Sequence, residues 1–314
     1  MKRREFVGVV AGALGSPVFP EAGRAASPVR GGERLVERWS WAMGQPVHLR
    51  LFAASEDAGF EAAALAIAEL HRVEAALSLF DSASDLVTLN ERAGRGPVRV
   101  GPDLLCVLER SEHLRKLTGG AFNPAVEPLM RAWGFHAPRV SAPTAAELGL
   151  ARRAVGEARV MVGVRDATLV TPESRLDLGG IGVGYGLDRA ARVLRRAGIR
   201  RALLDVSGDL IAIGAPPGTP GWPVDIASRK EAGILGTVML RDAAAATSAN
   251  TGSVVRYGDV VAGHVMDPER GVPADALIQV TVVARTGIEA DALSTAMLVS
   301  GRRPPGVEEV VLLK

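Results

Sequence analysis

The sequence predicts an α+β fold in one large domain. Amphipathic helical segments and short apolar strands mix along the chain without the strict strand–helix–strand alternation of a doubly wound sheet, and most strands fall in the second half. With 314 residues, 47% hydrophobic and 23% charged, the chain has ordinary globular composition and enough length for a sizeable core. A formal net charge of +2, without a Lys/Arg stripe interleaved with aromatics, gives no case for a nucleic-acid partner. The single cysteine, Cys106, rules out an internal disulfide framework and a cysteine-rich metal site. Within the apolar run Leu104–Leu108 it is expected to be a small buried hydrophobe.

The first 26 residues read as a signal segment. Lys2-Arg3-Arg4 is followed by an apolar stretch from Phe6 to Phe19 and by small residues at Gly23 to Ala26, the order of a secretory signal, and the arginine pair suggests the twin-arginine route. The alternative is a membrane-anchored or fortuitously apolar tail, but the run is shorter than the ~20 residues a spanning helix needs. Residues 27–314 are then one exported domain, periplasmic or otherwise outside the cytoplasm.

The elements follow in order. Met43 to Phe52 alternates as a strand. Glu56 to Leu79 is a long helix by its apolar period, and Leu104 to Leu117 a second, halted by Thr118-Gly119-Gly120. Thr144 and Glu147 have capping-box spacing and start a third helix reaching Gly156. Strands are expected at Val160–Val164 and Ala167–Val170. A glycine-rich turn, Gly179–Gly186, should lead into a helix from Leu187 to Ala197. Arg201–Val206 and Leu210–Ile213 are strands broken by Ser207-Gly208-Asp209. Further strands lie near Val224–Ala227, Leu235–Leu240, Ile278–Ala284 and Val310–Leu313, with a last helix from Glu289 to Val299.

Four segments could carry chemistry. On the last helix Asp291 and Thr295 are four apart and share a face, offering Mg²⁺ hard oxygen ligands; an Asp that merely complements the helix dipole is the plainer explanation. Leu176 to Gly186 is rich enough in glycine for backbone to approach a phosphate closely, or simply for a tight turn. The dinucleotide fingerprint does not fit it, because Pro172 to Arg175 is a poor strand and the third glycine is mis-spaced. Gly119 to Pro124, running on to Trp133-Gly134-Phe135, could be a connection with core aromatics. His264 precedes the turn Asp267-Pro268-Glu269-Arg270-Gly271 and could be a core, surface or working histidine. No histidines stand at zinc-ligand spacing.

Taken together and in order, these segments resemble the ApbE-type flavin transferases, the FAD:protein FMN transferases. The resemblance rests on FDSASDLVTLN (residues 80–90), GGAFNPAVEPLMRAWGF (119–135), LDLGGIGVGYGLDRAARVL (176–194), Ser207-Gly208-Asp209, Ala246-Thr247-Ser248, GHVMDPERG (263–271) and ADALSTAMLVSG (290–301). It implies a mixed fold of two interlocked α/β halves with a flavin nucleotide between them. It also implies Mg²⁺ held by Asp291, Thr295, a carbonyl near Ser294 and the carbonyl of Gly180. The metal would polarise the pyrophosphate of FAD, so that a Ser/Thr hydroxyl of an exported protein, a subunit of a redox complex, takes the FMN moiety and AMP leaves. Met43 and Phe80 would pack on the rings. Ala121, Phe122, Asn123, Asp177, Val183 and Val265 would contact the nucleotide. His264 would handle the acceptor's proton.

Two positions depart from the family pattern. Asn123 stands where the family usually has Asp, and Val183 where it usually has Lys or Glu. These departures leave two alternatives open: a Mg²⁺-dependent FAD pyrophosphatase yielding FMN and AMP, and a non-catalytic periplasmic FAD-binding or delivery protein.

Overall fold

The computed structural model describes residues 32–313 apart from residues 252 and 276; the signal segment expected over residues 1–26 lies outside the described residues. Its centre is a seven-stranded sheet in the order β1–β2–β6–β7–β10–β15–β16, every pair antiparallel. These strands are β1 (Arg34–Ala42), β2 (Gln45–Ala53), β6 (Ala202–Val206), β7 (Asp209–Ile213), β10 (Ala244–Ala249), β15 (Gln279–Ala284) and β16 (Glu309–Leu313). An all-antiparallel sheet agrees with the α+β expectation and leaves no place for a dinucleotide-binding βαβ unit.

Three helices cover one face: α1 (Glu56–Leu77), α6 (Gly182–Arg196) and α7 (Gly287–Ser300). On the other face the hairpin β8 (Trp222–Ala227) and β9 (Ile234–Leu240) packs Trp222, Val224, Ile226 and Val238 against Leu203, Leu210, Ala212 and Ala245. A second region joins α2 (Asp85–Glu91), α3 (Pro102–Leu117) and α5 (Ala145–Gly156) to a small sheet of β3 (Val98–Arg99), β5 (Asp166–Leu169) and β4 (Val160–Val162). Between them lie the 3₁₀ turn Pro124–Val126, α4 (Glu127–Ala132) and two short hairpins: β11 (Val254–Tyr257) with β12 (Val260–Gly263), and β13 (Met266–Asp267) with β14 (Val272–Pro273). Among the described residues no helix is long and apolar enough to cross a membrane.

Local chemistry accounts for several boundaries. Ser55 caps α1 through Ala58 N, and the Thr144–Glu147 capping box is formed in both directions at α5. Asp267 Oδ1 accepts from Glu269 N and Arg270 N, closing the turn expected there.

Three expectations need correction. Met43 is not in a strand: with Gly44 it forms a two-residue hairpin turn, both at positive φ (56° and 69°), between β1 and β2. Cys106 is exposed. The buried face of α3 is Asp103, Leu104, Val107, Leu108, Ser111 and Leu114, and the helical period turns Cys106 away from it in spite of its apolar neighbours. The run from Gly182 is the first turns of α6 and not a loop. Two of its glycines sit at close contacts. A Cβ on Gly184 would lie 2.1 Å from Gly287 O on α7, and one on Gly186 would lie 2.7 Å from Met43 Sδ. Glycine costs a helix roughly 1 kcal/mol against alanine, a cost offset here by the contact of two helix starts.

Candidate functional site

The start of α6 rests against the start of α7 at Gly184 and Gly287, and this contact builds one wall of a cleft. It brings the backbone N–H of Gly184 to 3.0 Å from Asp291 Oδ2 on α7. One helical turn further on, Thr295 faces Gly180: a Cβ built on Gly180 would stand 3.0 Å from Thr295 Oγ1. Asp291, Thr295 and Gly180 all line a cavity of about 450 Å³. The i, i+4 spacing puts the carboxylate and hydroxyl on one face of α7, toward this cavity. Ser294 stands behind that face, its hydroxyl donating to Asp291 O at 2.9 Å and 2.7 Å from Ser248 Oγ. Ser248 Oγ is also 3.3 Å from Thr295 Oγ1, so it ties the two hydroxyls of α7 together.

A second carboxylate completes the wall. Asp209, at the start of β7, lines the same cavity and accepts Thr247 N at 3.1 Å. Burial pushes its carboxyl up to about 7; the Thr247 N–H opposes this and the charge of Asp205 adds to it. Burial, then the charge of Asp209, holds Asp291 well above the ordinary carboxylate range, against the pull of the Gly184 N–H. Two buried acids on one wall, with the charge of Asp209 raising the pKa of Asp291, are the kind of group a bound cation would stabilise in ionised form. Two carboxylates, a hydroxyl and a backbone carbonyl are a donor set suited to Mg²⁺, which takes oxygen ligands. Among the described residues no cluster of three or more His, Cys, Asp or Glu offers a rival metal site.

The remaining expected residues surround the same space. Ala121, Phe122, Asn123, Asp177, Val183, His264 and Val265 line this cavity. Asn123 spends its Oδ1 on Ala125 N, capping the 3₁₀ turn, which leaves its NH₂ for a ligand. Met43 and Phe80 line an adjoining lobe of about 490 Å³ that shares Gln45, Asp177, Gly179 and Val183 with the first. The left-handed turn at Met43 directs this side chain into the lobe, and Phe80 is 86% exposed at its rim. Val183 sits where the lobes join. Asn250 holds the His264–Val265 segment in place: its Oδ1 accepts Val265 N, and its Nδ2 donates to Val265 O and Ala274 O. Burial lowers the pKa of His264, against the Ser253 backbone and the charge of Asp177, and its Nδ1 has no hydrogen-bond partner.

Gln45, which lines both lobes, Arg229 in the first and His136 in the second carry no sequence signal, while Asp209 and Ser248 belong to blocks that resemble the family without a role assigned to them. Asp209 sits in a segment that reads as a break between two strands, and only the sheet brings it opposite α7. The arrangement suits an elongated anionic ligand: two lobes for ring systems and an acidic, cation-seeking wall beside their junction.

Comparison with known proteins shows the family. The sequence model of the ApbE family matches residues 43–305. An FAD:protein FMN transferase of Rhodobacter capsulatus is 32% identical over 222 residues, covering 69% of this chain and 42% of its own length. One of Treponema pallidum is 30% identical over 269 residues, covering 77% and 74%. Among solved structures, the ApbE protein of Thermotoga maritima superposes with a TM-score of 0.77 at 25% identity, over 85% of this chain and 87% of that one. Flavin transferase ApbE of Vibrio cholerae gives 0.73 at 26%, over 85% and 87%.

Proposed function

The chain belongs to the ApbE family, and from that premise we propose that it is an FAD:protein FMN transferase, dependent on Mg²⁺ and acting outside the cytoplasm. The observation that carries this reading is the convergence of Asp291, Thr295 and Gly180 beside a two-lobed cleft. Asp291, Thr295 and the Gly180 carbonyl would hold the metal, with Asp209 as a second carboxylate and Ser294 supporting from behind. When bound, Mg²⁺ supplies Lewis-acid polarisation of the pyrophosphate and neutralises its charge.

The chain's own residues do the rest. The lobes hold the two ring systems of FAD, with Met43 and Phe80 packing on one of them. Asp177 and Val183 line both lobes where they join, so the nucleotide lies across this junction with the reacting phosphorus positioned before attack. The hydroxyl oxygen of a Ser or Thr on the acceptor protein forms a bond to the FMN-side phosphorus. The bond from that phosphorus to the bridging oxygen breaks, and AMP leaves. The hydroxyl proton passes to His264, whose lowered pKa keeps the imidazole neutral and able to accept it. An exported redox-complex subunit is the proposed acceptor class.

Purified protein with FAD and Mg²⁺, with and without an acceptor protein, tests this. AMP released only with acceptor supports transfer. AMP without acceptor would make the protein a pyrophosphatase, and tight FAD binding without AMP a carrier. Asp291→Ala is expected to abolish Mg²⁺-dependent AMP release with the fold intact, and Thr295→Ala to weaken it less. Unchanged turnover in the Asp291 variant would remove the metal site.

A further inference from the structure

His136 stands in the turn after α4, and two separate segments, at Gly271 and Tyr257, fix that turn. Trp133 Nε1 donates to Gly271 O at 3.0 Å, and the Tyr257 hydroxyl donates to Trp133 O at 2.7 Å. Gly134 has φ +89°, and a Cβ there would lie 2.3 Å from the Tyr257 hydroxyl. The imidazole so placed lies between two carboxylates. Its Nδ1 is 3.6 Å from Glu127 Oε1 and its Nε2 is 3.4 Å from Asp177 Oδ2. The ring stands edge-on to Phe80, with centroids 6.0 Å apart. Glu127 is buried and also paired to Arg131 at 2.7 Å. Burial raises the Glu127 pKa, but His136 and Arg131 outweigh it and hold the carboxyl below its ordinary range.

Asp177 is the member that reaches the ligand space, since it lines both lobes. Its Oδ1 accepts Gly179 N at 2.7 Å and its own N–H donates to Pro124 O at 2.8 Å, so one oxygen and the backbone are already fixed. The other oxygen faces His136. An Asp177 with that oxygen bare would set an uncompensated negative charge where the two lobes meet, which opposes an incoming diphosphate.

We propose that His136 is a positioning residue for dinucleotide binding that acts through Asp177: it engages the second carboxylate oxygen, offsets its charge at the junction of the lobes, and so admits the diphosphate. This rests on the reading of the cleft as an FAD site. Phe80, held edge-on by the same imidazole, is positioned together with Asp177, so one side chain sets both the polar junction and the rim of the second lobe.

The test is a double-mutant cycle in the full chain with Mg²⁺, reading the dissociation constant of FAD by flavin fluorescence. His136→Gln is expected to weaken binding roughly tenfold, the scale of a lost charge-assisted contact. In an Asp177→Asn background the same exchange should change it less than about twofold, because no charge is left to offset. In turnover, the KM for FAD should rise by a larger factor than kcat falls. His136→Asn runs alongside in case His136→Gln unfolds. A packing role alone would lower the melting temperature and weaken binding equally in both backgrounds, and that additivity would overturn the inference while leaving the FAD reading standing. A wild-type chain that takes up no FAD at all would overturn both.

Discussion

Asp209→Asn separates a site built for a cation from one that is merely polar. The exchange is nearly isosteric, and the asparagine oxygen can still accept Thr247 N. The folded-state carboxyl, at about 7, lies above its ordinary value. The metal-free protein therefore carries no penalty from this group below about pH 4, a growing one as pH rises to about 7, and the full penalty above that. Holding a carboxyl at about 7 rather than about 4 corresponds to a ceiling of about 4 kcal/mol. Asp209 opens onto the cleft, where screening reduces that ceiling to about 1–2 kcal/mol. In EDTA at pH 8 the variant should melt roughly 2–6 °C above wild type, and the gap should shrink toward pH 5. Added Mg²⁺ should raise the wild-type melting temperature and raise that of the variant much less. Thermal scans at the two pH values, with and without Mg²⁺, provide the measurement. A variant that is no more stable than wild type in EDTA at pH 8, or that gains as much from Mg²⁺, would show that burial of this carboxylate does not strain the fold, or that Mg²⁺ does not bind beside it.

Gly184→Ala should destabilise the fold by about 2 kcal/mol or more, because the new Cβ would lie 2.1 Å from Gly287 O and force α6 and α7 apart; a melting temperature within 1–2 °C of wild type would refute the tight helix contact. Val183→Lys or Val183→Glu should tighten FAD binding about tenfold in a fluorescence titration, since a charge-assisted bond is worth roughly 1.5–3 kcal/mol and this side chain lines both lobes; unchanged affinity in both would mean that residue 183 does not touch the nucleotide. Changing Arg3 and Arg4 together to Lys should leave the precursor in the cytoplasm, and mature protein still found outside on fractionation would rule out the twin-arginine route.

Legibility in the sequence followed the range of the forces involved. The helices at 56–77, 102–117 and 145–156 were readable because their apolar period and caps lie within a few residues of each other, as Thr144 and Glu147 show. The same locality made Asp291 and Thr295 readable as a pair, since one turn of helix fixes their common face whatever surrounds them. The ordered blocks that resemble the ApbE family carried the fold class and the remaining expected residues.

Tertiary structure decided what depends on distant contacts. Gly182, Gly184 and Gly186 have the composition of a turn, yet they form a helix, and the Gly287 backbone approaches too closely for any side chain at Gly184. Met43 reads as the start of a strand until the pairing of β1 with β2 requires a two-residue turn there. Cys106 is apolar in its neighbours and exposed by its helical phase. Asp209 and Asp291 are 82 residues apart in the chain, and His136 lies far from Asp177 in sequence. No local pattern can reveal that one pair raises the pKa of a buried carboxylate and that the other brings an imidazole to 3.4 Å from a carboxylate oxygen, because both depend on distance in space rather than along the chain.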